Sequence, residues 1–405
     1  MAGRYELLAP AGDLECLQTA LRFGADAVYL GGPKLQLRAG SVGFSLENLE
    51  QAIGQAHGLG RRVYVTVNAF ADSREAEAVG DYAQALAALG ADAAIVADLG
   101  LIAAIRRAAP ELPVHVSTQA NCTNHLAARV YHDLGATRVV LARELTLEQI
   151  AELRARTPED LELEAFVHGA MCMAYSGRCM ISAHLTGRSA NRGGCAQSCR
   201  WKYHLMEESR PGEYFPVEED AQGMKILSSR DLNALPFLDK LMAAGVTSFK
   251  IEGRMKTPYY VATVTNAYRR RLDQILSGAD TPTVAELQRE LDAVSHRPYS
   301  SGFYFGEAKH APADDGVYRQ DCVFVATVQE ASAGRASFTL RNRFQAGDVL
   351  EVLAPGEPCR RIKVEDLRNA AGEPVDWASV PMEVYSMACE AELRPGDILR
   401  KRKEQ

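Results

Sequence analysis

Four cysteines crowd one stretch of this chain, HGAMCMAYSGRCMIS followed by NRGGCAQSCRWKY, with the spacing C-x6-C-x15-C-x3-C at Cys172, Cys179, Cys195 and Cys199. Thiolates are soft ligands, so four of them in a glycine- and arginine-bearing segment suit a metal, an iron–sulfur cluster before others. Zinc ribbons usually use C-x2-C knuckles, and none occurs here. Zinc, or ordinary buried or redox-active thiols, remain the alternatives. Cys16, Cys122, Cys322, Cys359 and Cys389 are scattered in apolar or mixed surroundings and read as small core residues. The odd total of nine argues against a secreted disulfide framework.

A second constellation lies in TSFKIEGRMK. With strand alternation, Ser248, Lys250, Glu252 and Arg254 share one face while Phe249 and Ile251 share the other. Three charges on consecutive inward positions form either a salt-bridged plug or a site for an anion or substrate. Thr118, Gln119 and Asn121 in VSTQANCTN, together with Asn68, Arg143, Glu144, Glu164 and His168, also fall at expected strand ends. Around the cysteines stand Tyr175, Arg178, Arg188, Arg192, Arg200, Trp201, Lys202 and Tyr203, and further on Arg269, Arg270 and Arg271. Such arginine–aromatic clustering fits phosphate contacts and base stacking, with RNA the more natural ligand because unpaired bases splay onto aromatic rings. His168 with Cys172 permits a cysteine–histidine protease reading, which leaves the other three cysteines without a role. No P-loop, H-E-x-x-H or G-x-S-x-G motif is present.

The elements that must position these groups recur from residue 6 to about 275 as a short β-branched run, a helix, then glycine–alanine. Expected strands are Glu6–Ala9, Asp26–Leu30, Arg62–Asn68, Asp92–Ala97, Val114–Gln119, Arg138–Ala142, Leu161–His168 and Ser248–Glu252. Helical stretches such as LENLEQAIGQAHGLG and LEQIAELRAR alternate with them. Eight such units predict an α/β fold, a (β/α)8 TIM-type barrel over residues 1–280, with an open doubly wound sheet as the other possibility. A long cysteine-bearing insertion, 169–227, follows strand seven, at the end of the barrel where chemistry is placed. Residues 281–317 read as a helical connector. Residues 318–405 alternate apolar and polar positions between turns, which predicts a small C-terminal antiparallel β-barrel domain.

Bulk properties narrow the class. The 405 residues are 47% hydrophobic and 24% charged, and no apolar run reaches eighteen residues. The first residues, MAGRYELLAPAGD, lack an apolar signal core, so a cytoplasmic protein with no membrane segment is expected. A net charge of −7 gives no global attraction to nucleic acid, so any such contact needs a local patch.

EAFVHGAMCMAYSGRCMIS resembles the signature of the collagenase-like peptidase family U32, and LLAPAGDLECLQTALRFGADAVYLGG, VSTQANCTN and FKIEGRMK look like its other blocks. The resemblance covers about residues 5 to 275. It implies iron–sulfur proteins that hydroxylate their substrates without molecular oxygen, rather than peptidases. NRGGCAQSCRWKY is similar to the tRNA-modifying branch, which implies formation of 5-hydroxyuridine at the wobble position in the tRNA anticodon loop, with prephenate as a small carboxylate hydroxyl donor. It further implies that Cys172, Cys179, Cys195 and Cys199 ligate a 4Fe–4S cluster, and that a paralogous partner subunit can share the task. A peptidase, or a non-catalytic RNA-binding or redox-sensing iron–sulfur protein, is the alternative. The combined expectation places Glu164, His168, Lys250, Glu252 and Arg254 in catalysis. Asn68, Thr118, Gln119, Asn121, Arg143, Arg178, Arg200 and Trp201 are expected to bind substrate.

Overall fold

The computed structural model describes residues 5–37, 43–172, 174–175, 177–201, 219–220, 223–224, 230–306, 318–332, 334–389 and 392–403. Lys202, Tyr203 and most of the second half of the 169–227 insertion lie outside the described residues. The chain divides into two compact units, one of residues 1–21, 25–256 and 297–318, the other of residues 22–24, 257–296 and 319–405.

The first unit contains a closed parallel barrel. Its strands are β1 (Glu6–Pro10), β2 (Ala27–Gly31), β3 (Arg62–Val67), β4 (Ala93–Val96), β5 (Val114–Val116), β6 (Ala136–Val140), β7 (Glu162–Ala170) and an eighth at Ser248–Ile251. Consecutive strands pair in order. The eighth strand closes the ring by pairing parallel with both β7 and β1, in the registers Ser248↔Glu164 and Glu6↔Ser248. Helices between strands begin at side-chain caps that satisfy otherwise orphaned N–H groups: Asp98 Oδ1 accepts from Leu101 N, and Thr146 with Gln149 forms a capping box. The expected TIM-type architecture is therefore present, with strand limits within a few residues of those read from the pattern.

Two local differences have physical causes. Strand β5 stops at Val116 instead of Gln119, because the Ser117 hydroxyl accepts from Gln119 N and starts a 3-10 turn, Thr118–Ala120. Asn121 then closes that turn in the left-handed region at φ 53°. The unpredicted strand Asp231–Asn233 runs antiparallel to β7 and is joined by Tyr299–Ser300. It is fastened by a buried ion pair in which Arg297 donates to Asp231 at 2.6 and 2.9 Å.

Charged residues fill the lower barrel interior. Arg138 contacts Glu6 at 2.6 Å, Glu162 at 2.6 Å and Glu164 at 3.1 Å, while Tyr64 donates to Glu6 at 2.5 Å. Burial disfavours the charged form of Glu6, but the Arg138 guanidinium together with hydrogen bonds from Tyr64 and Ser248 outweighs it and holds the carboxyl below its usual range. His115 lies edge-on to Tyr64; burial first, then Arg138 and Lys250, push its pKa well down, so it is a neutral imidazole.

In the second unit, helix Pro258–Ser277 starts at the Thr257 cap and ends at Gly278 in the left-handed region. A second helix, Val284–Leu291, begins at a Thr283–Glu286 capping box. A seven-stranded antiparallel sheet runs in the order Arg360–Lys363, Val349–Leu353, Ile398–Arg402, Cys322–Ser332, Arg335–Leu340, Val384–Ala388, Glu365–Arg368. Its two edge strands are adjacent in sequence, separated by Val364, and are not paired with each other among the described residues. The expected barrel is thus a half-barrel, wound on a core that includes Phe338, Phe344, Leu350, Val352, Tyr385 and Leu399.

Candidate active site

At the carboxyl ends of the barrel strands lies a cavity of about 130 Å³. Its floor is apolar and aromatic: Tyr29 from β2, Ile95 from β4 and Phe166 from β7. Polar groups ring that floor, with Thr66 on β3, Asn68 just beyond it, and Ser117, Thr118 and Gln119 in the turn after β5. Lys250, Glu252 and Arg254 contribute from the eighth strand and the residues after it, and Arg143 from the segment after β6. All four clustered cysteines form its outer wall.

The charged groups divide into two layers. Lys250 is 4% exposed and reaches down to Glu164 at 2.7 Å, while its ammonium sits 4.4 Å from the Tyr29 ring centroid. Burial lowers its pKa, opposed by the Glu164 carboxylate. Glu164 is fully buried beneath the cavity and belongs to the Arg138 network. Both sequence alternatives thus apply to different residues: Lys250–Glu164 is a plug, whereas Glu252 and Arg254 stand above it. Arg254 donates to Gln36 Oε1 at 3.0 Å, Thr66 Oγ1 at 3.2 Å and the Leu37 carbonyl at 3.1 Å. Arg143 packs its guanidinium 3.8 Å from the Phe166 centroid, donates to the Ala170 carbonyl at 2.9 Å and approaches Glu252 at 3.4 Å. The Arg143 Nε and the Asn68 Oδ1 are buried with no hydrogen-bond partner among the described residues. Such orphaned groups at a cavity wall are the ones a ligand satisfies.

The cysteine wall is built from short turns held on the barrel. Cys172 comes two residues after the end of β7. Gly177 has φ +74°, and a Cβ there would come 2.5 Å from the Gln119 carbonyl oxygen. Asn191 donates to the Cys179 carbonyl and accepts from Phe70 N, while Arg192 reaches Glu75 at 3.0 Å. Gln197 N lies 3.4 Å from Cys195 Sγ, an N–H···S contact. Cys172 and Cys195 are exposed, Cys179 and Cys199 half-buried, and none is in a disulfide. Among the described residues no three His, Cys, Asp or Glu side chains converge closely enough to hold an ion. The donor set and its location therefore suit an iron–sulfur cluster, while the four sulfurs are not drawn into a ligating arrangement.

Of the residues anticipated for this site, the four cysteines, Asn68, Thr118, Gln119, Arg143, Lys250, Glu252 and Arg254 line the one cavity. Others do not. Glu164 lies a layer below, and His168, 1% exposed, places its ring 5.3 Å from Tyr299 rather than at the cavity wall. Asn121 closes the β5 turn, and Arg178 and Trp201 are on the surface near the cysteines. Arg200 ends a 3-10 turn, Ser198–Arg200. Tyr29, Thr66, Ser117, Phe166 and Asn191 were missed. Strand-end position was the available signal for Tyr29 and Thr66, but Asn191 comes from the insertion, where no periodicity exists.

The sequence model of peptidase family U32 matches residues 12–313, and that of the U32 C-terminal domain matches residues 320–400. The chain belongs to peptidase family U32. One U32 relative, tRNA hydroxylation protein P of Escherichia coli K12, is 35% identical over 435 residues and covers 94% of each chain. Another, tRNA hydroxylation protein P1 of Bacillus subtilis 168, is 36% identical over 404 residues, 98% of this chain and 95% of that one. A protein of Porphyromonas gingivalis W83 named collagenase is 31% identical over 411 residues, 98% of this chain and 97% of that one. The U32 blocks recognised in the sequence meet in space: a Cβ on Gly12 of the APAGD block would collide with the carbonyl of Arg254 in the IEGRMK block. Among the described residues no helix is long and apolar enough to cross a membrane.

Proposed function

We propose that this U32 protein is an RNA hydroxylase that converts the wobble uridine of tRNA to 5-hydroxyuridine, with a 4Fe–4S cluster held by Cys172, Cys179, Cys195 and Cys199. The observation that carries the reading is the convergence of those cysteines with Arg143, Arg254 and an aromatic floor on one cavity. The names of the two tRNA hydroxylation relatives support RNA as the substrate class.

A cluster bound at the cysteine wall supplies electron transfer. The chain's own residues do the rest. Tyr29 and Phe166 offer flat apolar surface for a ring, and they exclude water from the cavity floor. Asn68, with its orphaned Oδ1, accepts from the N3–H of uracil, a donor that cytosine lacks. Replacing C5–H by C5–OH requires a donor that gives up a hydroxyl group and departs reduced by two electrons; prephenate is the donor this reading assigns. Arg143, whose Nε has no partner among the described residues, binds its carboxylate, and Glu252 orients that guanidinium. A paralogous partner subunit and a cytoplasmic setting complete the reading.

The peptidase alternative needs a nucleophile beside a base. His168, the histidine nearest Cys172 in sequence, does not reach the cavity wall. The test is mass spectrometry of tRNA nucleosides from a deletion strain carrying wild type or Arg143→Ala. Wild type should restore 5-hydroxyuridine and the variant should not. Unchanged nucleosides on deletion and complementation would remove the function.

A further inference from the structure

The second compact unit holds a cavity of its own, about 270 Å³, lined by five arginines and three glutamates, a surplus of two positive charges. Its deepest member, Arg400, is fully buried. Arg400 Nε and Nη2 bond to Glu351 at 2.9 and 2.8 Å, and Nη2 also to Glu290 at 2.8 Å. The remaining nitrogen, Nη1, is buried with no partner among the described residues. Arg402 completes the charge balance of Glu351 at 2.9 Å. Above this neutralised base stand Arg270 and Arg289 from the two helices and Arg361 from an edge strand. None of these three is in an ion pair among the described residues. The nearby Glu286 carboxylate, which Arg270 and Arg289 face, is already bonded to Thr283 N and Oγ1 in its capping box. A partly enclosed site with a sealed, unsatisfied guanidinium nitrogen and a rim of three unpaired cations selects a tetrahedral oxyanion over a carboxylate, since one anion must present oxygens in several directions.

We propose that this pocket binds a backbone phosphate of the RNA substrate, so that the C-terminal unit docks the nucleic acid through its phosphodiester. The inference rests on the reading of the protein as an RNA hydroxylase and adds to it a second, separate contact. It also reconciles an acidic chain of net charge −7 with a polyanionic ligand, because the attraction is local.

The experiment uses the full anaerobically purified chain and fluorescently labelled tRNA, titrated at several salt concentrations. Two paired variants are compared with wild type: Arg270→Glu with Arg361→Glu, and the milder Arg270→Gln with Arg361→Gln. Arg361 is exposed and Arg270 half-buried, so the glutamine pair retains the fold even if charge reversal does not. The expected result is at least about tenfold weaker tRNA binding, a salt slope shallower by about 1–2, and an unchanged melting temperature for the glutamine pair. If wild type binds tRNA and the glutamine pair matches it in affinity and slope, the pocket is no RNA site, while the hydroxylase reading stands. If wild type binds no tRNA, both fall. If inorganic phosphate raises the melting temperature of wild type alone while tRNA affinity is the same in both, the occupant is a free phosphate compound and the RNA assignment is overturned.

Discussion

Lys250 and Glu164 show how one residue's role depends on its layer. Both are almost fully buried and 2.7 Å apart, so removing Glu164 strips the Lys250 ammonium of its ion-pair partner, and removing Lys250 leaves the Glu164 carboxylate to Arg138 alone. Lys250→Met should destabilise the barrel by about 3–5 kcal/mol, and adding Glu164→Gln should recover much of that loss. Thermal or denaturant unfolding of the single and double variants checks this. A double variant no better than Lys250→Met would remove the pairing from the explanation. Glu6 supplies the pH dependence. Its carboxyl is held below the usual range, so it stabilises the fold above its unfolded pKa of about 4.5 and loses that contribution as pH falls through the lower folded value. Melting temperature should therefore decline below about pH 4.5, and Glu6→Gln should flatten that decline while lowering stability at neutral pH. Arg254, with three hydrogen bonds to Gln36, Thr66 and Leu37, is an anchor as well as a cavity residue. Arg254→Ala is expected to lose about 2–3 kcal/mol of stability together with activity.

At the scale of the element, the described part of the cysteine insertion is joined to the barrel by close backbone approach at Gly177 and by polar contacts from Asn191 and Arg192. Gly177 presses on the turn after β5, where any side chain would strike the Gln119 carbonyl, and its positive φ adds strain for other residues. Gly177→Ala should leave the melting temperature of the barrel nearly unchanged yet displace Cys172 and Cys179 and reduce both cluster colour and 5-hydroxyuridine formation. Full colour and activity in that variant would show that the contact does not position the wall. Within the same logic, Cys179→Ala should bleach the broad visible absorbance expected of anaerobically purified protein. Cys16→Ala should not, since the Cys16 thiol is buried and its pKa is pushed up by burial and by Asp13. A colourless wild type with one tightly bound zinc would replace the cluster by the alternative metal.

For the molecule as a whole, two compact units carry two separate cavities, one walled by cysteines and one rimmed by arginines. Casein and collagen should stay intact with the purified chain, because the residues expected for a protease do not share a site: His168 is sealed against Tyr299 while Cys172 is exposed at the cavity. The sequence alone was enough for the barrel, since eight β-branched runs alternating with amphipathic helices leave few other ways to bury both faces of a parallel sheet. It was also enough to single out the four cysteines that wall the cavity, because their density is a property of composition and spacing. It did not separate Glu164 from Glu252, or Lys250 from Arg254. Alternation gives the face of a strand but not the depth along the barrel axis, and depth depends on the closure of the ring, which sets Ser248 beside Glu164 and Lys250 above Arg138. The turn that ends β5 is local, since the Ser117 hydroxyl accepts from Gln119 N two residues on, whereas the orphaned nitrogen of Arg143 was decided in three dimensions, by which groups the closed ring leaves out of its reach.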